Sequence, residues 1–244
     1  MNALQRTARL TGLAYLGLAV SGMLGFLLVR QRLFVPGDAA ATTANLVADE
    51  TLARLGTAVD LTVVLTQALA AVLFARLFRR VDALAAGSIA AFGLVNAVVI
   101  LVAAAFSATA LDVALEGPAP GADSPATAQL LYELTDITWA LGGLFFGLWL
   151  VPMGWLALRS GYFPRALGWV LVAGGVGYVL STYVVAVAPD LADASYALTL
   201  PATVGELWMV GHLLWRGVRP TAAGGEALAH DDAPSADGLA VAPA

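Results

Sequence analysis

The stretch QLLYELTDITWALGGLFFGLWLVPMGWLALRSGYFPRALG, residues 129–168, decides the fold class. Glu133, Asp136, Ala140, Gly143 and Gly147 are spaced 3, 4, 3 and 4 apart. At about 100° per residue they fall on one helical stripe. Leu134, Ile137, Leu141, Leu144 and Leu148 cover another side. One face is therefore small and acidic, the other apolar. In water the apolar face needs a protein core. In a bilayer lipid covers it, and the small stripe lets a neighbouring helix approach.

Composition extends this reading to the whole chain. Of 244 residues, 60% are hydrophobic and 12% charged, against about a quarter charged in a soluble domain. Most of the chain cannot face water. The absence of cysteine excludes disulfides and thiolate metal sites. All 12 basic residues are arginine. The densest arginine group, Arg76, Arg79 and Arg80, abuts an apolar run, and no nucleic-acid surface is expected.

Six apolar runs reach the roughly 20 residues a spanning helix needs. They predict spans at about 8–29, 52–77, 84–111, 128–157, 166–187 and 198–217. The first run is too long for a signal peptide core and lacks a small-residue cleavage site before Arg30, so it reads as a retained helix. Between the first two spans, Pro36-Gly37 marks a turn and Asp38 is placed to cap a short alanine-rich helix, at the interface or over the bundle mouth. Residues 112–126 and 188–197 read as acidic loops. Pro152 predicts a kink in the fourth span. The expected organisation is an all-α, six-helix transmembrane domain over residues 1–219 and a disordered acidic tail over 220–244.

Arginine placement predicts orientation. With six spans, nine arginines fall on the side of the termini and three (Arg30, Arg32 and Arg54) on the other. Both termini are then expected in the cytoplasm of a bacterial inner-membrane protein.

Several pieces carry a family resemblance. They are Arg6-Thr-Ala-Arg-Leu-Thr-Gly-Leu-Ala-Tyr15, Val35-Pro-Gly-Asp-Ala-Ala-Ala-Thr42, Arg54-Leu-Gly-Thr-Ala-Val-Asp60, Phe145-Phe-Gly147, Arg159-Ser-Gly-Tyr-Phe-Pro-Arg-Ala-Leu-Gly168 and Gly175-Val-Gly-Tyr178. In this order and spacing the chain resembles the bacterial membrane proteins grouped as domain of unknown function 4386. The resemblance implies a multi-span membrane protein and supplies no catalytic residues.

Four acids stand inside apolar runs: Asp60, Glu133, Asp136 and Glu206. A central intramembrane Asp costs about 2.5–3.5 kcal/mol on insertion scales. All four belong to spans predicted to run inward, roughly 8–13 Å below the outer surface at 1.5 Å per residue. Tyr178 is expected at comparable depth and Asn96 deeper, with Arg54 near the outer rim and able to pair with a carboxylate. Two readings are open. The seven residues line an outward-facing cavity for a small solute or ion, or the acids fix helix packing in a structural or regulatory subunit. A membrane-embedded enzyme is the least favoured reading, because no nucleophile–base pair stands out. No metal site or cofactor is expected: His212 and His230 lack ligand spacing to one another or to an acid. The expected partners are the lipid bilayer and an unknown membrane partner or a second copy of the chain.

Overall fold

The structure, a computed structural model, describes residues 3–117 and 123–218. All regular elements among them are helical. Helix α1 (Ala3–Leu24) passes through a π-helical turn, Gly25–Arg30, into α2 (Gln31–Leu33) without leaving the helix axis region. Next come α3 (Ala39–Ala48), α4 (Glu50–Phe78), α5 (Ala83–Glu116), α6 (Ser124–Ser160), α7 (Arg165–Val187), the short α8 (Ala192–Ser195) and α9 (Leu200–Trp215).

Local chemistry sets the boundaries. Asp38, Asp82 and Asp123 each stand one residue before a helix, and their carboxylates accept from the backbone N–H of Ala41, Ala85 and Ala126 at 2.9, 3.0 and 3.3 Å. Each satisfies a donor that the first turn leaves open. Gly161 ends α6 at φ 67°, a left-handed position that a side chain disfavours. α6 stays helical through Pro152.

The long helices form a closed ring. α1 packs on α4, α4 on α5, α5 on α6, α6 on α7, α7 on α9, and α9 returns to α1. Trp149 of α6 is fully buried and meets Tyr15 and Phe74 edge-on, at 5.6 and 6.0 Å between ring centroids. These aromatics fill the ring towards the end where the chain termini lie. A second core of Leu33, Leu46, Ala53, Leu111, Ala128 and Tyr132 closes the other end. There α3 lies across the bundle against α4, α5 and α6, with Leu46 fully buried beneath it.

Glycines set the closest seams. A Cβ on Gly147 would come within 2.6 Å of the Gly175 carbonyl oxygen, and one on Gly154 within 2.7 Å of that of Gly168. The small stripe of the opening stretch is therefore the contact of α6 with α7. A Cβ on Gly174 would strike the Ala202 backbone, and one on Gly177 the Leu198 carbonyl.

The outside of the ring is apolar. Phe26, Leu65, Trp169 and Leu84 are 60, 59, 63 and 83% exposed. So many exposed large apolar side chains are rare on the surface of a soluble monomer. Among the described residues, five helices are long and apolar enough to cross a membrane: Ala3–Leu33, Glu50–Phe78, Ala83–Glu116, Ser124–Ser160 and Arg165–Val187.

The structure corrects three sequence boundaries. The sixth predicted span shortens to the 16 residues of α9, because the chain ahead of it folds into two 3-10 turns and α8, which pack on α7. Residues 188–197 are therefore not an open loop, and Ser195 within them is buried, with its Oγ 3.0 Å from that of Ser181. The first predicted loop starts later than Arg30, because the π turn carries the helix to Leu33. The third span runs on through Asp112 to Glu116. The predicted tail, residues 220–244, lies outside the described residues.

Candidate functional site

The seven candidate residues separate into distinct places. Asp60 and Asp136 come together at the α3 end. Arg30, which sequence reasoning left in a loop, meets both: it pairs with Asp136 and lines one cavity with Asp60. The π turn begins at Gly25, which packs on α4: a Cβ there would lie 3.3 Å from Val59 Cγ1 and 3.7 Å from the Asp60 carboxylate. A π turn winds more widely than an α turn and rotates the residues after it to a new phase. Here it ends on Arg30, whose side chain is 19% exposed. Its Nη1 lies 3.5 Å from Asp136 Oδ1. Its guanidinium sits over the Trp139 ring, 4.9 Å from the centroid, a favourable place for a cation.

Arg30 and Asp60 line one cavity with Thr57, Tyr132, Thr135 and Gly56. Its volume is about 20 Å³, room for about one water molecule. Tyr132 is buried and stacks on Phe34 at 5.6 Å, which fixes one wall. Thr135 is buried and donates to the Ala103 and Leu131 carbonyls, at 3.3 and 2.9 Å. The site therefore holds one guanidinium and two carboxylates, a net charge of −1 with all three ionised. α2 and α3 cover this end of the ring.

Glu133, three residues from Asp136, is exposed and accepts from Gln129 Nε2 at 3.2 Å. It lies outside the cluster. Arg54 pairs with Glu50 at 2.7 Å on the exposed side of α4, away from the intramembrane acids.

Glu206 is elsewhere, at the junction where α9 closes the ring on α1. Tyr15 donates its hydroxyl to Glu206 Oε1. Tyr178 of α7 lies beside them and packs on Phe146 at 5.0 Å. Tyr15 also packs on Phe74, 14 residues beyond Asp60 on α4. At 1.5 Å per residue the two levels are about 21 Å apart along that helix. The acids thus form two sites at different depths rather than one layer. Asn96 is buried in α5 against Gly142 of α6, between them.

The signal for Arg30 was present in part. An arginine at the end of a span can turn its head inward along its own stem. The phase that aims it at Asp136 depends on the π turn, which no periodicity in the sequence marks.

These features define a class: a multi-pass, all-helical membrane protein with polar clusters inside an apolar ring. Within that class the chain belongs to the family described as Domain of unknown function (DUF4386), whose model matches residues 10–217. Nothing matches it among curated proteins or solved structures.

Proposed function

We propose that the protein handles a proton or a small monovalent cation at the Arg30–Asp60–Asp136 cluster, as a six-span protein of the bacterial cell membrane. In this reading α9 is the sixth span. Its 16 residues reach about 24 Å at 1.5 Å each, and the 3-10 turn Tyr196–Thr199 lengthens it. Six passes bring both termini to one side, and the nine-to-three arginine bias sets that side in the cytoplasm. Trp155, Trp169 and Trp215 are exposed towards the same end, as an interfacial belt requires. The cluster then faces outward beneath α3.

The observation that carries the reading is charge set against size. Arg30 and Asp60 line a cavity of about 20 Å³, and Asp136, outside that lining, pairs with the same guanidinium, so two carboxylates share one positive charge. The excess negative charge favours a cation, and the volume suits a water-sized guest rather than an organic solute. Flux into reconstituted vesicles, followed with proton and sodium or potassium indicators, tests it. Asp60→Asn and Asp136→Asn are each expected to lower the flux at least tenfold. Wild-type flux no faster than that of empty vesicles would refute the reading.

A second reading is a structural or regulatory subunit whose acids hold helices together. It draws on the Arg30–Asp136 pair, which ties the end of α1 to α6. On that reading the same substitutions lower the thermal midpoint and change no flux.

A further inference from the structure

The middle of the ring holds polar atoms that the Arg30 cluster does not use. Gln67 of α4 is fully buried, and neither its amide nitrogen nor its amide oxygen has a hydrogen-bond partner. The indole N–H of Trp149 is also buried without a partner. Such groups are rare in folded proteins, since each forfeits the bonds it makes in water. The two residues meet around Gly93 of α5. A Cβ built there would lie 3.0 Å from the Trp149 ring and 3.4 Å from Gln67 Nε2.

This pair stands between the two acid sites. Gln67 lies seven residues beyond Asp60, on the same face of α4 and about 10 Å along it. On the other side the Trp149 ring meets Tyr15 edge-on, and Tyr15 holds Glu206. Tyr15 of α1 and Tyr178 of α7 are the titratable groups facing Glu206 from the helices packed on its own. Tyr196, in the 3-10 turn before α9, is exposed. His212, on α9 itself, turns to Phe163 at 5.1 Å. Among the described residues no arginine pairs with Glu206. The site provides a hydroxyl donor and no fixed positive charge, so a proton is the positive charge it is built to accept.

We propose that Glu206 and Tyr15 form a second, deeper proton-binding site, reached from the Asp60 cavity past Gln67 and Trp149. The proposal rests on the reading of that cavity given above and narrows its cargo to the proton. A hydronium ion entering at Asp60 gives up its proton along water that the Gln67 amide and the Trp149 N–H orient. The proton ends on the Glu206 oxygen that Tyr15 does not bond, and the water is regenerated. Tyr15 keeps its own hydrogen throughout. Gln67 gains and loses none, so it is a positioning residue.

Infrared difference spectroscopy on the full chain in lipid vesicles, after a step in external pH, tests the proposal. The protonated-carboxyl band is expected to grow on acidification and to vanish in Glu206→Gln. Gln67→Leu is expected to slow its growth at least tenfold. Gln67→Met, nearly the same shape as glutamine, repeats the test if the leucine variant does not fold. Tyr15→Phe is expected to move the band, since the carboxyl loses a donor. A Glu206 band that ignores pH would overturn the site, and an unchanged rate in both Gln67 variants would overturn the path. Normal infrared behaviour without wild-type flux would remove the transport reading and leave the proton site standing. Flux lost in Asp136→Asn but intact in Glu206→Gln would do the reverse.

Discussion

At the α3 end a carboxylate, Asp136, faces a guanidinium; at the ring closure another, Glu206, faces a phenol. The first arrangement supplies its own counter-charge. Both partners lie near the end of the bundle, and Asp136 keeps 43% of its side chain exposed. The second supplies only a hydrogen bond and lies about 21 Å further along the ring, beside the aromatics towards the end of the termini. Insertion costs fall towards the membrane surface and rise towards its centre. An ion pair is thus tolerated at the rim, where water screens it. A carboxylate held by a neutral donor has no fixed counter-charge, which a proton can supply. On the reading proposed above, the Asp60 end selects for positive charge and the Glu206 site accepts only a proton.

The comparison breaks most easily at its packing. The Glu206 site depends on α9 seating against α7, and Gly177 lets the Leu198 carbonyl touch the α7 backbone. Gly177→Ala should cost about 3 kcal/mol, because the atom it meets is backbone and cannot rotate away. The thermal midpoint in detergent measures the loss. Hydrogen exchange should rise in α9 and α1 while the Gly25–Leu33 segment keeps its protection. Equal loosening at both sites would mean that they are one cooperative unit.

A smaller effect is expected from Arg30→Leu. Removing one partner of a fully buried pair costs about 3–5 kcal/mol. With Asp136 this exposed, about 1–3 kcal/mol is expected here. Adding Asp136→Leu should recover part of the loss, since Asp60 is then the one carboxylate of the cluster left without the guanidinium. An additive double variant would show that the two groups act independently.

Much of the frame was legible in the sequence, and the reason is physical. Runs of about 20 apolar residues have few alternatives to spanning, and Asp38, Asp82 and Asp123 mark helix starts by their short side chains. The site was legible only as a set of residue types. Depth was counted from the start of each span, which placed Glu206 level with Asp136. The 3-10 turns and α8 ahead of α9 break that count. Arg30 was hidden by a π turn, which no repeat in the sequence marks. Gln67 was visible as a polar residue on the Asp60 face. That it lacks partners is a property of the assembled ring.

Tyr15→Phe sharpens the comparison on its energetic side. Interhelical hydrogen bonds inside membranes average about 0.6 kcal/mol and reach about 1.7. A loss within that range is expected at a pH where the infrared band shows Glu206 protonated, its neutral carboxyl accepting from the phenol. A loss approaching that of Arg30→Leu would mean that Tyr15 stabilises a full charge, and the two sites would then differ in position alone.

The least costly change concerns the cover over the rim site. α3 is held at its start by Asp38, which accepts from Ala41 N–H at 2.9 Å, and along its length by the fully buried Leu46 and Thr42. Asp38→Ala should remove the cap and cost about 1 kcal/mol or less, since the position is exposed and water can replace the lost acceptor. Leu46 stays seated, so the midpoint of the whole protein should barely move. Local opening of α3 should nevertheless rise several-fold, and hydrogen exchange at Ala41 and Thr42 is the sensitive readout. If α3 gates the Arg30 cavity, flux should rise with that opening while infrared changes at Glu206 keep their amplitude and gain only in rate. A change confined to exchange, with flux and rate both unmoved, would make α3 a fixed roof that does not gate Asp60.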